Sequence, residues 1–522
     1  MLLMASAVSA MAQPRLVVNI VVSGMSAEDL QRYGHNFGAG GFRRMMQEGA
    51  TFTECYADYA PTTTEAGLAT IATGSLPSMH GVVSQYRYDR TSNKRVELCD
   101  AGVATRADLA GGDVVGSYGN ARFVTQTLAE VFASSSSVAR AMTIAHEPYS
   151  AMILAGRGGE CYWMNKQGRW STALCYGKEL PAWVKSYNGD DMNRVFSTDV
   201  WYGRYTKKRY RNTHTTDIIL HDKERKSTAG ASSRRSMLWV ERMLTMPSGN
   251  LALFEFAKRA VGSMMPLDAG GCKLLNICLD VPRKVVERYG PDSAEYEDML
   301  YSLDVQLSDF ITYVQAQVGS RDDLLFVLTS DHGTSPSQRD AANDASRFNS
   351  RQFEVIMNAF LSARYAQDDW VLGYADGSLY LNHDVIYRHK RSLVEVQNEV
   401  ATFALQFRGI ANALTATALK GGTLLHGTAR LVQNGFHARH SGDVLLVLEP
   451  KHIALRSDCV SLSGSPYNYD RHVPLLVYGA GVAVQSVERR VGLESIAPTL
   501  AALCGLSRPQ CSDAELLKEI KQ

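Results

Sequence analysis

In LFVLTSDHGTSPS, Leu325 to Ser337, an apolar run of strand length ends in Asp331-His332-Gly333. A run with no polar face belongs to a strand covered on both sides, and such strands sit in mostly parallel sheets. Chemistry in parallel sheets collects at the carboxyl ends of the strands, where this Asp-His pair falls. Similar short runs recur in RLVVNIVVSGM (15–25), LLNICLDV (274–281), DVLLVLEP (443–450) and VPLLVYGAG (473–481). Several precede helical patterns such as SAEYEDMLYSLDVQLSDFITYVQAQV (293–318), whose apolar residues recur at helical spacing. Strands alternating with helices predict an α/β fold: a mostly parallel central sheet flanked by helices on both faces. Ser23, the segment after Asp280, and Asp331 all fall at strand ends.

Two regions break the rhythm. Residues about 155–250 are rich in Tyr, Trp, Ser and basic residues and read as an inserted cap. Residues about 340–440, including WVLGYADGSLYLNHD, read as a small subdomain that returns to the main sheet. There are no internal repeats.

Of the 522 residues, 45% are hydrophobic, enough for a large core, and a formal charge of +1 gives no global attraction to nucleic acid or an anionic membrane. The local basic runs TKKRYR (206–211) and KERKS (223–227) lack interleaved stacking aromatics and read as solvated loop. MLLMASAVSAMA (1–12) reads as the apolar part of a signal peptide with an Ala-Met-Ala cleavage site, lacking the usual basic start. The mature chain, 13–522, is then expected to be periplasmic or secreted. No later stretch approaches ~18 uninterrupted apolar residues, so no transmembrane segment is expected. Of nine cysteines, Cys161 and Cys175 flank a hairpin pattern and are a candidate pair, as are Cys504 and Cys511. No C-x-x-C pair argues for a zinc knuckle.

Four pieces line up in order: VVSGM, APTTTEAGLATIATGSLPSMHGV (60–82), TSDHGT and GSPYNYDRHVPLLVYGAG (464–481). With GGFRRMMQEGATFTECYADYAPT, ERYGPDSAEYEDMLYSLD and SGDVLLVLEP they make the chain resemble the alkaline phosphatase superfamily. The likeness is greatest to bacterial phosphate-irrepressible alkaline phosphatases and type I phosphodiesterase/nucleotide pyrophosphatases. The resemblance implies an alkaline phosphatase-like fold and a two-zinc phosphate-ester hydrolase with a Thr nucleophile. Paired cations suit that chemistry because they stabilise both the attacking and the leaving oxygen.

Carried over by position, the resemblance makes Thr64 the nucleophile and Asp331, His332 and His472 metal ligands. Thr64 opens a helix, where free backbone N–H groups suit an anion; equally, Thr62 to Thr64 suit a capping role. Other positions depart from the pattern. Ser23 replaces a ligand Asp, and a neutral hydroxyl carries no charge to offset zinc. An Asp-x-x-x-His pair falls on Arg283 and Glu287, with Asp280 nearby. A His after the nucleophile is Leu68, a phosphate-contacting Asn is Gln85, and a Lys-x-Arg pair is Glu147 and Tyr149. A carboxylate in place of an ammonium changes the interaction with a phosphate dianion by several kcal/mol. The expected protein is therefore a pseudophosphatase or very weak hydrolase with at most partial zinc occupancy. Alternatives are an active monoesterase or diesterase with rearranged ligands, and an extracytoplasmic binding module reading through the Tyr/Trp-rich cap. The expected partners are a phosphate ester or other small molecule and no nucleic acid, with the chain a monomer.

Overall fold

The computed structural model describes residues 13–100, 118–136, 140–190, 192–196, 200–212, 215–221, 239–265, 271–338, 347–455 and 459–520. The stretch expected to be a signal peptide, 1–12, and the basic run 223–227 lie outside the described residues.

Nine strands form the central sheet: β1 (Leu16–Val22), β2 (Ala50–Phe52), β3 (Ala141–Ala145), β4 (Glu160–Met164), β5 (Trp170–Ser171), β6 (Lys273–Leu279), β7 (Leu324–Thr329), β8 (Leu475–Gly479) and β9 (Gln485–Val487). Their order is β9-β2-β8-β7-β1-β6-β3-β4-β5. The middle, β7-β1-β6-β3-β4, is parallel, and β8 runs antiparallel between β7 and β2. Leu16 is in register with both Lys273 and Leu324, so the carboxyl ends of β1, β6 and β7 emerge side by side.

The unbroken apolar runs explain the layering. Alternate residues of a strand face opposite sides. Leu16, Val18, Ile20 and Val22 join one apolar layer, with helices Pro247–Met264 and Ala294–Val318. Val17 and Val21 join the other, with helices Thr64–Thr73, Pro148–Ala155 and Ile496–Leu503. The result is three layers, helix-sheet-helix, as the alternation of strands and helices predicts.

DVLLVLEP is reassigned. Its strand Val444–Leu448 lies in a second, four-stranded antiparallel sheet, between Ser378–Leu381 and Ile410–Thr415. That sheet has its own core, built from Phe353, Met357, Leu361, Trp370, Val400 and neighbours. This sheet falls largely within the stretch expected as a small subdomain, 340–440, but its strand Val444–Leu448 runs past 440. A short apolar run cannot reveal which sheet it joins.

The 155–250 stretch is also redrawn. Its first part, β4 and β5, is the edge of the central sheet. Several of its aromatics pack on the core: Trp170 stacks on Phe256 at 4.0 Å, and Trp183 and Tyr187 pack against the same ring. Farther on, backbone N–H groups of Arg204, Arg211, Asn212, Thr216 and Asp217 donate to buried carboxylates on helix Ala294–Val318. Arg204 donates to Asp298 at 2.6 Å, Arg211 to Glu297 at 2.9 Å, and Asp217 to Glu295 at 2.8 Å. Among the described residues these aromatics do not form an open binding face.

Candidate functional site

Four adjacent parallel strands, β7, β1, β6 and β3, end in Thr329, Val22, Leu279 and Ala145. The polar residues that follow, Asp331, Ser23, Asp280 and Glu147, therefore gather at one edge of the sheet, where parallel sheets place their sites. Helix Thr64–Thr73 lies over them. Gly67 makes that approach possible: a Cβ there would meet the Asp331 carbonyl oxygen at 2.2 Å.

Three neighbouring threonines do three different things. Thr62 Oγ1 donates to Ser465 O at 3.0 Å and accepts from Gly464 N at 3.1 Å, tying the 464–465 turn to the site. Thr63 is the N-cap, accepting from Ala66 N at 3.2 Å. Thr64, the expected nucleophile, sits 2.9 Å from His332 Nε2. His332 Nδ1 donates to the Gly333 carbonyl at 2.6 Å, so a neutral ring presents a bare Nε2 that accepts from the Thr64 hydroxyl. The structure thus brings Thr64, Asp331 and His332 together.

Asp331 is fully enclosed. Ser23 Oγ donates to its Oδ2 at 2.6 Å, while Gly24 N and His332 N donate to Oδ1 at 3.1 and 2.9 Å. Ser23, expected to replace a ligand Asp, is therefore the hydrogen-bond partner of Asp331.

His472 is elsewhere. It forms an antiparallel bridge with Tyr56, flanked by hydrogen bonds from Ala57 N to Arg471 O and from Val473 N to Cys55 O. Arg471, the last residue of the short helix Asn468–Arg471, and Val473 are buried, while the His472 ring turns to the Tyr56 side. There it stacks at 4.7 Å and donates from Nε2 to Thr53 O at 2.7 Å. The structure does not bring it to Asp331 and His332. Other parts of its motif reach the site: Gly464-Ser465 through Thr62, and Asp470, whose carbonyl accepts from Gly333 N at 2.7 Å.

The remaining substituted positions meet one another. Arg283 donates to Glu147 Oε2 at 2.7 Å and lies 3.4 Å from Glu287 Oε1 and 3.9 Å from Asp280 Oδ1. Lys284 pairs with Glu147 Oε1 at 2.6 Å, and the Tyr149 hydroxyl donates to Glu147. Burial pushes the Glu147 carboxyl up, but Lys284 and Arg283 together outweigh it and hold the group below the ordinary carboxylate range. Asp280 is committed: Ser150 Oγ donates to Oδ1 at 2.6 Å, and the backbone N–H groups of His146 and Glu147 to Oδ2 at 3.0 and 3.1 Å. Burial, then the Glu147 charge, push it up to about 6. Leu68 is core, packed in the layer beneath.

Two contributors were not singled out from sequence. Lys284 adjoins Arg283 in VPRKVVERY, and that basic doublet was the available signal. Asp470 is buried beside His332, accepts from Ser465 N at 2.8 Å through Oδ2, and its Oδ1 has no hydrogen-bond partner. Burial pushes its carboxyl up to about 7.

Tested against zinc, the cluster offers Asp331, His332 and Thr64 on one side and a guanidinium on the other. Among the described residues no group of three or more His, Cys, Asp or Glu side chains is arranged to hold a metal ion.

Residues 17–460 match the type I phosphodiesterase/nucleotide pyrophosphatase family, and the chain belongs to it, within the alkaline phosphatase superfamily. Alkaline phosphatase PafA of Elizabethkingia meningoseptica is 24% identical over 98% of this chain and 95% of its own length. Alkaline phosphatase PhoV of Synechococcus elongatus is 24% identical over 98% and 93%. A Myroides odoratus protein named a calcium-transporting ATPase is 25% identical over 95% and 93%. The crystal structure of wild-type PafA superposes with a TM-score of 0.87 at 24% identity, covering 98% of this chain and 99% of that one. Murine ectonucleotide pyrophosphatase/phosphodiesterase 5 shares the fold at a TM-score of 0.54 and 13% identity. Among the described residues no helix is long and apolar enough to cross a membrane.

Proposed function

We propose that this family member is a pseudophosphatase, exported to the periplasm or medium, in which an internal ion-pair cluster stands where the family carries its first metal and its phosphate-binding cations. The observation that carries this reading is the Arg283–Glu147 pair at 2.7 Å, backed by Lys284 and Glu287. A metal would have to approach a guanidinium, and a phosphate dianion would have to approach a carboxylate that is already neutralised by its neighbours. The donor set does not fit two zinc ions. Thr64, His332 and Asp331 persist as a hydrogen-bonded brace between helix Thr64–Thr73 and the ends of β1 and β7.

Zinc content per chain and turnover of p-nitrophenyl phosphate and bis-p-nitrophenyl phosphate, measured on one zinc-supplemented, chelator-free preparation, test this. The expected result is less than one zinc and no turnover above buffer. Two zincs with turnover would overturn it and leave an active hydrolase with rearranged ligands. One zinc lost in Asp331→Ala, with turnover lost alongside, would favour a one-metal esterase built on the Thr64–His332–Asp331 cluster.

A further inference from the structure

Cys504 closes helix Ile496–Leu503, and its Sγ lies 2.9 Å from Sγ of Cys272, on the segment entering β6. Both residues are buried. Neither sulfur hangs on a free loop. Cys504 N donates to Leu500 O and Ala501 O of its helix, and Lys273 N, next to Cys272, donates to Arg15 O. The two anchors are thus a helix end and the entrance of a central strand, held together by the apolar layer they share. The partner of Cys504 is Cys272, not the sequence-adjacent Cys511.

We propose that Cys272 and Cys504 form a disulfide that fastens the C-terminal helix to the start of β6. Each thiol loses its hydrogen and one S–S bond forms. The two protons and two electrons pass to a thiol–disulfide oxidant such as oxidised glutathione, which leaves as two reduced thiols. The cysteines are 232 residues apart, so the cross-link removes a large share of the unfolded chain's freedom. Burial, then the Cys504 contact, push the Cys272 thiol up, which keeps that thiol protonated and slow to react. The bond therefore forms while the chain folds, before the pair is covered.

The test is refolding the full chain in a glutathione redox buffer, alkylating free thiols, digesting, and mapping peptides by mass spectrometry without reductant. The expected result is a Cys272–Cys504 linked peptide pair that disappears on reduction and in Cys504→Ala. Oxidised wild type is expected to melt a few degrees above the reduced protein, with no such difference in Cys272→Ala/Cys504→Ala. Alkylation of both cysteines in oxidised, folded protein would overturn the proposal, as would a Cys504–Cys511 link. If the alanine variants do not fold, the wild-type peptide map decides.

Discussion

Arg283 donates to Glu147 Oε2 at 2.7 Å across 136 residues of chain, from the helix after β6 to the end of β3. On the proposed reading, each stands where the resemblance implies the opposite charge, and the two charges offset one another. Each also has further counter-charges: Arg283 faces Asp280 and Glu287, and Glu147 pairs with Lys284.

Arg283→Met is expected to destabilise the protein by roughly 3–5 kcal/mol, because it strands buried carboxylates. Adding Glu147→Gln should recover a large part of that loss. Urea unfolding of both single variants and the double gives the coupling. Additive effects would mean that the contact is not energetically real.

Ser23→Ala should cost about 1–3 kcal/mol, since Asp331 Oδ2 loses its donor inside a fully buried site. Ser23→Asp should cost more at pH 8 than at pH 5. Two carboxylates would then share the space of a 2.6 Å hydrogen bond and one must keep a proton. Equal losses at both pH values would count against this geometry.

Asp470 and Glu494 are each pushed up to about 7, from 3.8 and 4.5, by burial. A raised carboxyl means the folded state binds more protons than the unfolded one, so this contribution is complete below about pH 4. It declines as pH rises to about 7, by about 1.4 kcal/mol per pH unit per group. Asp470→Asn should therefore flatten the fall of Tm between pH 5 and pH 7, as read by calorimetry. An unchanged slope would place Asp470 outside the titrating set.

Glu295 Oε1 accepts from Thr216 N at 2.5 Å and Asp217 N at 2.8 Å, and Glu297 accepts from Arg211 N and Asn212 N. Glu295→Ala should speed amide hydrogen exchange at 216–218 by at least about tenfold, equivalent to about 1.4 kcal/mol, while β1 amides stay protected. Uniform acceleration throughout the chain would instead indicate global destabilisation.

Legibility followed range. β1, β6 and β7 were readable because a strand buried on both faces is apolar without interruption, a property of seven or so neighbouring residues. Thr64 and His332 were readable as members of one site only through the family pattern, since 268 residues separate them. DVLLVLEP was misplaced for a related reason. Local composition specifies an extended segment, but the choice of sheet and the side to which alternate residues turn are made by partners far along the chain. The Arg283–Glu147 pair was invisible as a pair: two substitutions each read as a loss, and only their contact shows that one answers the other.

The carboxylates of Glu147, Glu287 and Asp280 find their counter-ions in Arg283 and Lys284, within the polypeptide. On the proposed reading, the protein needs no metal ion to balance the charge in this part of its fold. Its melting curve should be indifferent to EDTA, and its abundance in a cell should not follow the zinc supply that governs proteins whose folded state depends on an imported ion.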